Sequence, residues 1–157
     1  MPTGFDLEWL ARHQAKMSTI KGQSIPVLPD TIQFSIPVLL KLPNQMSGKG
    51  WQVAFAQRKK LMPLVHEATR AWHGREPIDR AVVTVTRFAT GPECDDDNAA
   101  ASVKPLVDLL LVRSKTHPHS VGIVVDDSPA HMIQNSRVVR VATRKEQRTE
   151  VTIQRLD

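Results

Sequence analysis

Arg80-Ala81-Val82-Val83-Thr84-Val85-Thr86-Arg87-Phe88 is rich in valine and threonine with the alternation of a β-strand, and it runs into the turn Ala89-Thr90-Gly91-Pro92-Glu93. Directly after the turn come Asp95, Asp96 and Asp97. The next segment, Asn98 to Val112, places Val103, Leu106, Val107 and Leu110 on one helical face, and Asp97 is positioned to cap its first turn. A strand that passes through an acidic turn into a helix is thus the unit around which the rest of the chain is arranged. Pro105 disfavours helical geometry at Lys104, so this helix is expected to kink or restart there.

Working outward, Thr31 to Leu42 reads as a strand interrupted by Pro37, at a sheet edge or bulged. Residues 1–30 read as an N-terminal extension and linker, with Phe5, Trp9 and Leu10 on one side of a short amphipathic stretch, and residues 31–157 as one domain. From Trp51 to Trp72 the residues Ala54, Leu61, Val65, Ala68 and Trp72 share a helical stripe, with Pro63 a kink. Gly122 to Val125 reads as a short buried strand ending in Asp126-Asp127, and Ser128-Pro129 as a turn. Arg137 to Thr143 and Thr149 to Leu156 read as two strands joined by the turn at Lys145-Glu146-Gln147. The expected fold is α+β, a mixed sheet of four to five strands packed by two main helices.

Composition bounds the function. The chain has 157 residues, 41% of them hydrophobic, and a formal charge of +5, which favours a polyanionic partner. Its apolar runs, such as Leu106 to Val112, are too short to span a bilayer, and the amino terminus has no secretory pattern, so a cytoplasmic location is expected. A single cysteine, Cys94, excludes an internal disulfide and a multi-thiolate zinc site, and its acidic neighbours disfavour a nucleophilic thiolate.

The carboxylates fall in two clusters, Asp95 to Asp97 and Asp126-Asp127, each at the end of a predicted strand. If those strands are neighbours, like charges meet at one edge, where each pair costs ~1 kcal/mol in water and ~4 kcal/mol at a partly shielded site. Mg²⁺ would relieve that repulsion, since it takes hard oxygen ligands and retains waters, and it would supply an activated water for phosphodiester cleavage. At ~100° per residue Asp97, Lys104 and Asp108 share a stripe, with Ala100 and Ala101 leaving room nearby for a ligand. A lysine aimed at the metal edge could stabilise a pentavalent phosphate.

The run Asp95-Asp96-Asp97-Asn98, followed by Lys104, Asp108 and Gly122-Ile123-Val124-Val125-Asp126-Asp127-Ser128, resembles the RusA-like Holliday junction resolvases, a family common in bacteriophages and prophages. The resemblance runs from about Thr31 to the C-terminus and is most specific between Asp95 and Asp127. It implies a homodimeric endonuclease in the cytoplasm of a bacterium or phage-infected host, dependent on Mg²⁺ or Mn²⁺, that resolves four-way DNA junctions by paired symmetric nicks. Asp95, Asp97 and Asp127 match the family's metal-binding carboxylates and Lys104 its essential lysine, the four together forming the implied catalytic set. Asp126 is a further candidate ligand, and Asn98 and Asp108 are additional motif positions.

Plainer readings stand beside each of these. Asp95 to Asp97 would also serve as a turn and N-cap, Asp126-Asp127 as a turn, and Lys104 and Asp108 as a surface ion pair. Lys49, Arg58, Lys59 and Lys60, together with Lys104, are candidate DNA contacts, or else a solvated face and loop. His117 and His119 read as solvated loop residues rather than zinc ligands. Trp51 and Trp72 read as core or dimer contacts. The rival functions are a DNA-binding module without catalysis and a metal-dependent phosphohydrolase acting on a small phosphate ester.

Overall fold

The computed structural model describes residues 27–41, 50–91 and 100–156. Among the described residues four strands form one mixed sheet: β1 (Thr31–Ile36), β2 (Ala81–Ala89), β3 (Met132–Arg140) and β4 (Arg148–Arg155), in the order β1-β4-β2-β3. β4 runs antiparallel to both β1 and β2, whereas β2 and β3 are parallel. Two α-helices are packed with the sheet, α1 (Gly50–Ala68) and α2 (Lys104–Leu110), so the α+β class with a four-stranded mixed sheet and two main helices is the observed one.

Period-two alternation decides which side of the sheet is covered. Ile32, Ile153 and Val83 stand in one row across three strands, and Phe34, Val151 and Val85 in the next, and all six are buried. Between them Gln33, Thr152 and Thr84 form a row on the opposite face. The covered side joins Leu61 and Val65 of α1 and Leu106, Val107, Leu109 and Leu110 of α2 in one core. Full burial of each such aliphatic side chain contributes roughly 1.5–3 kcal/mol.

Several elements differ from the sequence expectation for identifiable reasons. β1 stops at Ile36, before Pro37, and is an edge strand, where a missing backbone donor is tolerated. Residues 27–30 pack against the sheet domain: Leu28 is buried, and the Asp30 carbonyl accepts a hydrogen bond from the Arg155 amide at 2.8 Å. The last two strands are joined by a short 3-10 turn, Arg144–Glu146, but they do not pair with each other; β2 lies between them. Gly122 to Val125 is not a strand of the sheet, and Val124 makes only isolated bridges to Ile78 and Leu111. The expected convergence of two neighbouring strand ends is therefore not how the carboxylate at 127 is placed.

The helix after the acidic turn restarts, as Pro105 requires. Residues 100–102 are helical, Val103 interrupts, and α2 begins at Lys104 with Pro105 in its first turn, where the lost N–H has no helical acceptor. Pro63 is accommodated inside α1. Among the described residues no helix is long and apolar enough to cross a membrane.

Candidate active site

α2 is short and almost entirely enclosed, and Asp108 sits in its middle with the apolar side chains on either side of it. The residue is only 5% exposed. A carboxylate in such a position needs cations, because an isolated charge out of water costs several kcal/mol. Three cationic or protonatable side chains surround it. Arg58 Nη1 approaches Asp108 Oδ2 at 3.3 Å from α1, Lys104 Nζ lies 2.9 Å from Oδ1 one turn earlier on α2, and His117 Nε2 lies 3.7 Å from Oδ1. Oδ1 receives no well-directed hydrogen bond from any of them, so its stabilisation is ionic.

Asp127 reaches the same lysine by a different route. The carbonyls at the end of α2, which have no partner within the helix, accept hydrogen bonds from the segment that follows the loop: Val121 to Leu109 at 2.7 Å, Gly122 to Leu111 at 2.9 Å and Ile123 to Leu110 at 2.8 Å. Gly122 has φ +78°, a conformation that costs glycine little and permits this turn. Ser120 Oγ also donates to the Asp108 carbonyl at 2.5 Å. On its other side the segment is tied to Ile78, whose carbonyl accepts from the Val125 amide at 3.0 Å. The chain then runs back along α2, and Lys104 Nζ donates a hydrogen bond to Asp127 Oδ2.

Lys104 thus spans two carboxylates of opposite character: Asp108, with a side chain 7% exposed, and Asp127, at 25%. Burial pulls the ammonium of Lys104 down, but the hydrogen bond to Asp127 and the adjacent charges of Asp108 and Asp127 outweigh it and hold the group above the usual lysine value. The hydrogen bond from Lys104 holds the Asp127 carboxyl below the usual carboxylate range against partial desolvation. Both groups are therefore charged throughout the neutral range.

Of the residues singled out from sequence, the structure brings Lys104, Asp108 and Asp127 together, with Asp126 half-buried next in the chain. Asp95, Asp96, Asp97, Asn98, Lys49 and Cys94 lie outside the described residues, as does the Trp51 side chain. Lys59 and Lys60 are exposed on α1. Arg58 is ion-paired with Asp108, and His117 faces the buried acid while His119 is exposed. The signal for both was legible: Asp108 interrupts the apolar run Leu106-Val107-Asp108-Leu109-Leu110-Leu111, and an acid there must collect counter-charges from neighbouring elements.

Among the described residues no group of three or more His, Cys, Asp or Glu side chains is arranged to hold a metal ion. Asp126 and Asp127 carry hard oxygen donors of the kind Mg²⁺ takes, and both are half-buried rather than enclosed. No protein-family model matches the chain, and no curated protein matches it in sequence.

Proposed function

We propose that the protein is a Mg²⁺-dependent endonuclease that resolves branched DNA in the manner of the RusA-like resolvases it resembles. The observation that carries this reading is the contact between Lys104 and Asp127, 23 positions apart, next to a buried acid that orders the lysine. A surface ion pair contributes ~0–1 kcal/mol, too little to account for a lysine held by two carboxylates and a third layer of cations behind them.

The charge states suit phosphoryl chemistry. Lys104 remains an ammonium, so it serves as a fixed positive charge for a developing phosphorane or leaving oxygen rather than as a general base. Asp108, gripped by Arg58, fixes where that charge sits. Asp127 remains an anion and is a ligand candidate together with Asp126. Asp95 and Asp97 would complete the set; Asp97 is three residues from Ala100, a tether of at most ~11 Å. Bound Mg²⁺, or Mn²⁺ in its place, would supply an activated water and offset charge on the scissile phosphate. Lys49, Lys59 and Lys60 would contact the DNA backbone, and a homodimer would set two such sites at the fixed spacing that paired nicks in a four-way junction require.

The test is incubation of the full chain with a synthetic four-way junction, a linear duplex and a small phosphate ester, with Mg²⁺ or with a chelator. Symmetric nicks confined to the junction with metal are expected. Binding without cutting would identify a DNA-binding module, and turnover of the ester would identify a phosphohydrolase.

A further inference from the structure

Lys104 and Asp108 differ in their freedom to move. The lysine side chain is 57% exposed, whereas the acid is enclosed in the middle of α2 and cannot follow it outward. The two contacts of the ammonium are also unequal. It donates a hydrogen bond to Asp127, but its approach to Asp108 Oδ1 at 2.9 Å is not well directed. A phosphate oxygen arriving at Lys104 therefore draws the ammonium off Oδ1 first. That leaves an enclosed anion with Arg58 on its other oxygen and nothing on Oδ1, and an undercompensated buried charge is the expensive state of such a site.

His117 stands where that state can be relieved. Its loop is fastened to both helices: Ser120 Oγ donates to the Asp108 carbonyl at 2.5 Å, and His66 Nε2 of α1 donates to the His119 carbonyl at 2.6 Å. The His117 amide is itself tied to Ser114 Oγ at 2.9 Å. The imidazole projects inward from this frame, and its Nε2 faces Asp108 Oδ1 at 3.7 Å, just beyond hydrogen-bond reach. On the other side of the ring Ser114 Oγ and Thr116 Oγ1 lie 3.4 and 3.3 Å from Nδ1. A carboxylate can only accept, whereas a hydroxyl can donate. Both sides of the ring are thus satisfied with a proton on Nε2, aimed at the acid, and this holds for the neutral imidazole as well as the charged one.

We propose that His117 is a positioning residue for Lys104: its Nε2–H closes on Asp108 Oδ1 as the ammonium moves to a phosphate, so the lysine reaches substrate without stranding the buried acid. The identity of that phosphate rests on the nuclease reading above; the exchange of partners at Oδ1 does not. The test is a pair of measurements on the full chain. In imidazole ¹H–¹⁵N spectra with metal chelated, assigned by the signal lost in His117→Gln, the Nε2 proton of the parent is expected to shift downfield when a four-way junction is added. In Lys104→Met, which removes the ammonium, the same shift is expected without DNA. No shift in a folded Lys104→Met, or a parent already fully shifted before DNA is added, would overturn the proposal. In junction cleavage with Mg²⁺, His117→Leu is expected to lower kcat about tenfold with little change in KM, and His117→Gln, which keeps a donor in that place, to recover most of the loss. Equal losses in the two variants would assign His117 a merely structural role and overturn the proposal independently of the spectra. A shift in Lys104→Met with none in the parent on adding the junction would leave the exchange standing and remove the nuclease reading instead.

Discussion

Arg58 and Asp108, 50 residues apart in the chain, meet at 3.3 Å across the interface of α1 and α2. The carboxylate is nearly enclosed and the guanidinium is one-third exposed, so the contact joins the core to the surface beneath Lys104. Removing the acid would leave Arg58 without its counter-charge and Lys104 with Asp127 alone. Asp108→Ala is therefore expected to destabilise the protein by about 2–4 kcal/mol, measured by urea unfolding. Arg58→Ala, which leaves Lys104 to compensate the acid, should cost about 1–2 kcal/mol.

Asp127 makes stability depend on pH in a direction that can be worked out. Its carboxyl is held below the usual range in the folded state by the hydrogen bond from Lys104, so the folded form binds its proton less readily than the unfolded chain. The stabilisation is therefore complete above the ordinary carboxylate range and is lost as pH falls through the depressed value. Lys104 behaves in the opposite sense: its contribution is complete below the ordinary lysine value and is lost as pH rises through the elevated one. Unfolding free energies of the parent and Asp127→Asn, measured from neutral pH downward, should differ by a constant amount at first and then converge in acid.

Gln57, on α1, offers a test of what an unpaired buried acceptor costs. It is 7% exposed, and its Oε1 has no hydrogen-bond partner among the described residues. Replacement by methionine keeps the length of the side chain and removes the unpaired acceptor. Gln57→Met is expected to raise stability by about 1 kcal/mol, read as a higher thermal midpoint.

Under the nuclease proposal, a change that displaces Lys104 without removing it should slow cutting more than binding. Asp108→Asn retains volume but weakens the grip on the ammonium, and kcat on a junction substrate is expected to fall about tenfold or more with little change in KM. A parallel fall in binding would point to a merely structural role.

Much of the fold was legible because simple periodicities dominate it. The valine and threonine alternation at Arg80 to Phe88 marks β2, and the stripe of Leu61 and Val65 marks the buried side of α1. Pro105 also announced the restart of the helix at Lys104. What periodicity could not convey was pairing. The turn at Arg144–Glu146 suggests two adjacent strands, yet β2 separates them, because strand order is set by long-range burial rather than by the connecting turn. The apolar run Gly122 to Val125 likewise caps the carbonyls of α2 and bridges to Ile78 instead of joining the sheet. Lys104, Asp108 and Asp127 were marked by spacing and by family resemblance, whereas Arg58 and His117 lie on separate elements and are signalled only indirectly, by an acid inside an apolar run that must gather counter-charges.

The most direct measurement is cleavage of a four-way junction with Mg²⁺ by the parent chain and by Asp127→Asn, with junction binding followed in the same preparations. Paired nicks by the parent, and a loss of at least ~100-fold in rate with binding retained in the variant, are the predicted results. Cutting at the parental rate by Asp127→Asn would contradict the assignment of the catalytic centre to the Lys104 and Asp127 pair.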